Sequence, residues 1–135
     1  MPLDDASPTE DEQARVFAFL EDPATHDGHE TRRLDTHAAV VILAGDSAYK
    51  VKRAVRYPYL DFSTLERRKA ACDRELEVNR AYAGPIYHGV VAITRDGEGR
   101  LAIEGDGVPV EWAVHMQRFD ETATLDRTIL QGPLP

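Results

Sequence analysis

The stretch Ala48-Tyr49-Lys50-Val51-Lys52 governs how the rest of the chain is interpreted. Successive side chains of a β-strand point to opposite faces of a sheet. Ala48 and the two lysines therefore share one face, and the two remaining residues occupy the other. The stretch predicts a strand that carries two cations on one side.

Tight turns precede this strand. Ala38 to Leu43 is a run rich in β-branched residues, and Gly45-Asp46 has the composition of a hairpin turn. Thr31 to Leu34 reads as a further strand, separated from the apolar run by the turn Asp35-Thr36-His37. The pattern predicts three strands in an antiparallel meander.

Two helix starts are visible in the sequence. Ser7-Pro8-Thr9-Glu10 has the composition of a capping box and opens a helix that ends before Pro23. Ser63-Thr64-Leu65-Glu66 is a second capping box, which opens a long helix that runs to about Ala83 and is ended by Gly84-Pro85. The apolar stripe of the first helix consists of Val16, Phe17 and Leu20.

The remaining segments complete an α+β layout. Strands are predicted at His88 to Thr94, Leu101 to Glu104 and Val108 to Phe119, followed by a helix from Ala123 to Gln131. We expect an antiparallel sheet of about five strands packed against one long helix, with an N-terminal helix and a C-terminal helix.

The long helix places one acid near the lysine strand. At about 100° per residue, its inward stripe consists of Cys72, Leu76 and Asn79. Glu75 lies at the edge of this stripe, whereas Glu77 points elsewhere. Glu75 is therefore the carboxylate best placed to reach Lys50, although it could instead be a solvated residue paired with Arg68 or Asn79.

Bulk composition limits the classes of function. The 135 residues carry a net charge of −8, which disfavours nucleic acid and anionic membranes as partners. The longest apolar run, Ala38 to Ala44, is far shorter than the roughly 20 residues of a membrane-spanning helix. The acidic start lacks the features of a signal peptide, and with a single cysteine no internal disulfide can form, so we expect a cytoplasmic protein.

Several polar features have ordinary structural interpretations. His26-Asp27-Gly28-His29 lacks a third ligand at metal-binding spacing and is expected to be a solvated loop, so no metal site is predicted. Arg67, Arg68 and Lys69 are expected to form a solvated surface. Cys72 and Trp112 are expected in the core, the cysteine without a role as a nucleophile.

A small residue two positions before a mid-strand lysine is the arrangement found in kinases, where a flat base lies against the alanine and the ammonium reaches phosphates. Together the motifs make the chain resemble the N-terminal lobe of aminoglycoside phosphotransferase-like proteins, in the bacterial branch often fused to a P-loop nucleotide-kinase domain. The matching stretches are Thr36-His37, Ala48 to Arg53, Leu60 to Arg68, Cys72 to Leu76, Asn79-Arg80 and Val110 to Met116.

The resemblance implies roles by position, with ATP and Mg²⁺ as cofactors. Lys50 matches the phosphate-contacting lysine, with Lys52 as its rival, and Glu75 matches the carboxylate that orients it. Thr36 and His37 lie where a phosphate-covering loop would be, although they also fit an ordinary polar turn without the glycine spacing of that loop. The adenine-binding residues implied are Ala48 and the hinge Met116, Gln117, Arg118 and Phe119.

The resemblance also implies a division of the chain. Residues 1–30 would form the N-terminal helix and loop, residues 31–119 the kinase-like lobe, and residues 120–135 the start of a missing C-lobe. Only sixteen residues follow Phe119, and none matches the catalytic or metal-binding aspartates of such enzymes. We therefore expect no catalytic residue in this chain, and the phosphate acceptor is undefined.

Three hypotheses stand at this point. The chain could be the ATP-binding lobe of a small-molecule phosphotransferase, truncated before the catalytic loop. It could be a non-catalytic kinase-like binding or interaction module. It could also be an unrelated α+β domain whose basic strand binds an acidic partner.

Overall fold

The computed structural model describes residues 7–83 and 86–118. The helices and strands are α1 (Ser7–Glu21), a 3₁₀ turn (Pro23–His26), β1 (Thr31–Asp35), β2 (Ala39–Ala44), β3 (Ser47–Lys52), β4 (Arg56–Tyr57), β5 (Leu60–Asp61), α2 (Leu65–Ala83), β6 (Tyr87–Arg95), β7 (Leu101–Ile103) and β8 (Val108–Gln117). This order confirms the predicted α+β layout.

The main sheet of the described residues is antiparallel and has six strands, in the order β1-β2-β3-β8-β6-β7. The predicted meander forms its first half, with Val41 opposite Lys50 in the β2–β3 pair. On its other side β3 pairs with β8, where Lys50 lies opposite Val114. The lysine strand is therefore central and has a hydrogen-bonded neighbour along both edges.

Helices cover both faces of this sheet, whereas the sequence assigned only α2 to it. On one face α1 packs against residues of β2 and β3, in a cluster that includes Val16, Leu20, Val40, Ile42 and Val51. On the other face, Cys72 of α2 packs in a cluster with Val41, Leu43, Ala48 and Val114. All six residues of β2 are buried, because a strand covered on both faces has no solvent side.

The cap of α2 differs from the prediction by one residue. Thr64 Oγ1 accepts a hydrogen bond from the backbone N–H of Arg67 at 3.1 Å, so Thr64 is the capping residue. Ser63 instead donates its hydroxyl to Asp61 Oδ1 at 2.5 Å. Asp61 belongs to a small β4–β5 hairpin that the sequence did not predict, with Pro58 and Tyr59 at its turn.

A buried polar network joins the two helices through β8. Gln13 on α1 donates to Glu111 Oε1 at 2.9 Å and to the Lys52 carbonyl at 2.8 Å, and it accepts from the Ala54 N–H at 2.9 Å. Arg68 on α2 donates to Glu111 Oε2 at 2.9 Å. Burial raises the pKa of Glu111, and the Arg68 guanidinium partly offsets that rise.

This network corrects the expectation that Arg67, Arg68 and Lys69 form a solvated surface. Arg68 is 3% exposed, whereas its two neighbours are exposed or half-buried. Arg68 also donates to the Phe62 carbonyl at 3.0 Å. Its burial requires the partner on β8, which the local sequence does not reveal.

The loop at residues 25–30 is likewise only partly solvated. His26 belongs to the 3₁₀ turn and is buried, with Nε2 2.7 Å from the Leu20 carbonyl oxygen and its ring 5.5 Å from that of Tyr49. His29 is exposed, as expected. The expectation of a fully solvated loop is therefore wrong at His26.

Some predictions fall outside the described part of the chain. They are the helix end at Gly84-Pro85, Phe119 in the hinge and the helix from Ala123 to Gln131. The side chains of the capping box at residues 7–10 also lie outside it. Neither α1 nor α2 is long and apolar enough to cross a membrane, and the same holds throughout the described residues.

We expect Gln13→Ala to lower the free energy of unfolding by about 2 kcal/mol, because Glu111, the buried Lys52 carbonyl and the partly buried Ala54 N–H each lose a partner. Urea denaturation measures this loss. The neighbouring exposed Arg15→Ala should change stability by less than about 0.5 kcal/mol. Equal losses for the two variants would contradict a structural role for the network.

Candidate functional site

The two lysines of β3 converge on one carboxylate of α2. Lys50 Nζ donates to Glu75 Oε2 at 3.3 Å, and Lys52 Nζ donates to Glu75 Oε1. The side chains of Lys50, Lys52 and Glu75 are 2%, 8% and 1% exposed. The prediction that Glu75 reaches Lys50 is confirmed, and Lys52 shares the same acid.

The helical phase explains why Glu75 faces the sheet. Cys72, one turn earlier, is fully buried against β8, and Asn79, one turn later, donates to the Glu75 carbonyl at 3.0 Å. Arg68, the other partner considered for Glu75, is bound to Glu111. Glu75 is therefore not the solvated residue of the alternative interpretation, whereas Glu77 is exposed.

This cluster contains more positive than negative charge. Burial lowers the pKa of Lys50 from 10.5 to about 8, although the attraction of Glu75 counteracts part of this decrease, and Lys52 adds to it by repulsion. A single carboxylate cannot neutralise two ammonium groups. An anion bound beside them would relieve this imbalance.

A cavity of about 490 Å³ opens beside the cluster, and it is bordered by α2, the start of β2, the end of β3, and β5 with the residue that follows it. Its charged lining consists of Lys50, Lys52, Asp61, Arg67, Arg74 and Glu75. Its other lining residues are Ala38, Ala39, Leu60, Phe62, Ala70 and Ala71. Four cations and two carboxylates make the cavity suited to an anionic ligand.

The predicted phosphate-covering turn lies next to this cavity but does not line it. The Thr36 hydroxyl accepts from the Ala39 N–H at 3.0 Å and donates to the Ala39 carbonyl at 3.2 Å, so it is engaged within its own turn. His37 is exposed, with its ring 5.8 Å from that of Tyr57. Only Ala38 and Ala39, the residues that follow, reach the lining.

The predicted hinge is also separate from the cavity lining. Met116 lies opposite Ala48 in the β3–β8 pair, and both are fully buried. Gln117 lies opposite Ser47, and the Arg118 N–H donates to the Asp46 carbonyl at 2.8 Å. The structure thus unites Lys50 with Glu75 but leaves the residues proposed for adenine binding outside this pocket.

Sequence reasoning missed part of this site. Arg67 and Arg74 line the cavity from α2, and Phe62 lies with its ring 5.8 Å from Lys52 Nζ. The seven-residue spacing of the two arginines, about two helical turns, was the available signal that they share one face. Both arginines lie within the stretches that carry the resemblance, but the resemblance implies no role for either of them.

Cys72 behaves as a core residue. Its thiol is buried, and burial raises its pKa to about 12, so it remains protonated near neutral pH. Trp112 is half-buried at the edge of the same cluster, with Lys69 Nζ 5.1 Å from its ring centre. Both residues therefore have a packing role next to the site.

Three curated mycobacterial proteins are similar to this chain, one from Mycobacterium bovis and two from strains of Mycobacterium tuberculosis, and all three are described as uncharacterized. Each is 34% identical over 116 aligned residues, which cover 70% of this chain and 23% of the relative. The chain thus spans about a quarter of their length. No protein-family model and no solved structure matches it.

We expect Glu75→Gln to lower the free energy of unfolding by about 3–5 kcal/mol, because it leaves two buried lysines without a counter-charge. Lys52→Met leaves the neutral Lys50–Glu75 pair and should cost less than about 1.5 kcal/mol. Chemical denaturation of both variants measures the contrast. Similar losses for the two would mean that Glu75 does not stabilise the lysines.

Stability should also depend on pH through Lys50. Its pKa is lower in the folded chain, at about 8, than its ordinary 10.5, so between these values unfolding takes up a proton and stability rises with pH. From pH 7 to pH 9 we expect a gain of about 1 kcal/mol in the wild type relative to Lys50→Met. Urea titrations at several pH values measure it, and parallel curves would exclude the lowered pKa.

Proposed function

We propose that this chain is the ATP-binding lobe of a small-molecule phosphotransferase of the aminoglycoside phosphotransferase-like family, which transfers the γ-phosphoryl group of ATP to a hydroxyl. The observation that carries the proposal is the buried pair between Lys50 of β3 and Glu75 of α2, beside a cationic cavity. In kinases a strand lysine held by a helix carboxylate positions the nucleotide phosphates.

The arrangement of elements supports this assignment. The lysine lies on the third strand of an antiparallel meander, and the carboxylate comes from the helix that follows. Ala48, two residues before the lysine, lies on the same face of β3, buried in the cluster that packs against α2. Local geometry and the resemblance in sequence therefore agree on Lys50 and Glu75.

The two implied cofactors fit the described residues unequally. Lys50 and the other cations of the cavity match the charge of a phosphate chain. Among residues 7–83 and 86–118, no group of three or more acids, histidines or cysteines could hold a metal ion. Mg²⁺ is therefore not assigned ligands here, and no step of the reaction is assigned to it.

The acceptor site and the catalytic aspartates are proposed to lie in a C-lobe of the full-length enzyme, which in the proposed branch is often followed by a P-loop nucleotide-kinase domain. The similar mycobacterial proteins are more than four times the length of the matched segment, which leaves room for such parts. In this proposal, the contribution of this chain is to bind and orient the phosphates of the nucleotide.

Calorimetric titration with Mg-ATP tests the proposal. The wild type should bind, and Lys50→Met should bind at least about tenfold more weakly, because a charged hydrogen bond to phosphate is lost. Lys69→Met, a lysine of α2 outside the cavity lining, is the matched control and should bind as the wild type does. Failure of the wild type to bind Mg-ATP would favour a non-catalytic binding module.

A further inference from the structure

The cavity beside Glu75 has further cations to which the proposed function gives no individual role. Lys52 lies at one wall, at the end of β3, and Arg67 and Arg74 line the other wall from α2. Ala70 and Ala71 lie between the two arginines and are too small to fill the space. The cations therefore border the same open volume.

Lys52 can leave its partner without creating an unpaired buried acid. Glu75 uses one oxygen for each lysine, so Lys50 still neutralises it when Lys52 moves away. The same departure would leave no backbone group without a partner, since the Lys52 carbonyl is held by Gln13 independently of its side chain. The Lys52 ammonium group can therefore move to an incoming anion with little loss of folding free energy.

The arginines of α2 are also available. Arg74 is exposed and makes no hydrogen bond or ion pair with any residue of the described chain. Among the residues that the structure describes, the Arg67 side chain pairs only with Asp61, at a long 3.6 Å, and it is 59% exposed. Exposed arginines with weak ion pairs or none contribute little to the stability of the fold, so their side chains can reorient towards an anion.

The lining offers little to a nucleobase. Apart from its charged groups, it consists of alanine, leucine and phenylalanine side chains, which cannot read the edge of a base by hydrogen bonding. The predicted hinge, Met116 to Arg118, lies outside this lining. Recognition in this cavity therefore depends on negative charge.

We infer that Lys52 and Arg74, together with Lys50, form an oligophosphate site that binds the phosphate chain irrespective of the attached base. The ligand class is a linear triphosphate, which can be inorganic tripolyphosphate or the triphosphate group of a nucleotide. This site rests on the proposed function for the role of Lys50 in phosphate binding. Lys52 and Arg74 would select ligands by the negative charge of their phosphates.

Calorimetric titrations of the 135-residue chain with tripolyphosphate, ATP and GTP, in one magnesium-containing buffer, test this site. The three affinities should agree within about threefold, because the cations contact only phosphate. Lys52→Met should weaken all three by about tenfold, and the exposed Arg74→Gln by about threefold. Lys69→Met and Arg15→Gln, which remove charges outside this cavity, should leave them unchanged.

The outcomes separate this inference from the proposed function. If Lys52→Met and Arg74→Gln bind as the wild type does, or if ATP binds more than about tenfold tighter than tripolyphosphate, the oligophosphate site is excluded. ATP binding that is lost only in Lys50→Met would retain the proposed function and overturn this inference. Failure of the wild-type chain to bind any of the three ligands would overturn both. Arg74 is exposed, so its variant gives a result even if Lys52→Met unfolds.

Discussion

Glu75 accepts hydrogen bonds from both lysines of β3, and the position of α2 over the sheet depends on this contact. A carboxylate or an ammonium group taken out of water costs several kcal/mol unless a partner compensates it. The helix can therefore dock only in the phase that brings Glu75 to Lys50 and Lys52. Cys72, packed against β8 one turn away, requires the same phase. Charge and packing thus select one orientation of α2, and that orientation forms a wall of the cavity.

The buried charges of this chain fall into two kinds of cluster. Arg68 and Glu111 form a balanced pair, and Gln13 satisfies the second oxygen of the acid, so this network is complete within the fold. Lys50, Lys52 and Glu75 are unbalanced and open onto a cavity. A balanced network tends to stabilise a structure, whereas an excess charge beside an open volume is suited to a ligand. This contrast is the physical basis for placing an anion at one cluster and not at the other.

In the proposed nucleotide site, the cavity would hold the phosphates and not the base. Lys50 and Glu75 line it, whereas Met116 lies buried in the β3–β8 pair and the Arg118 N–H is held by the Asp46 carbonyl. The N–H of Arg118, one of the four hinge residues implied for adenine binding, is thus already engaged within the described structure. If side chains bind the phosphates and nothing contacts the base, the affinity for the ligand would depend strongly on the ligand's charge. That affinity would fall as the salt concentration rises.

The sequence alone determined those features that follow from the periods of helix and strand. The two-residue period placed Ala48, Lys50 and Lys52 on one face, and the 100° step selected Glu75 over Glu77. Tertiary structure alone decided which of two adjacent arginines is buried, since Arg68 meets Glu111 across a separation of 43 residues in the chain. It also decided that Lys52 shares Glu75. Periodicity specifies the direction of a side chain within its own element, whereas its partner depends on how distant elements pack.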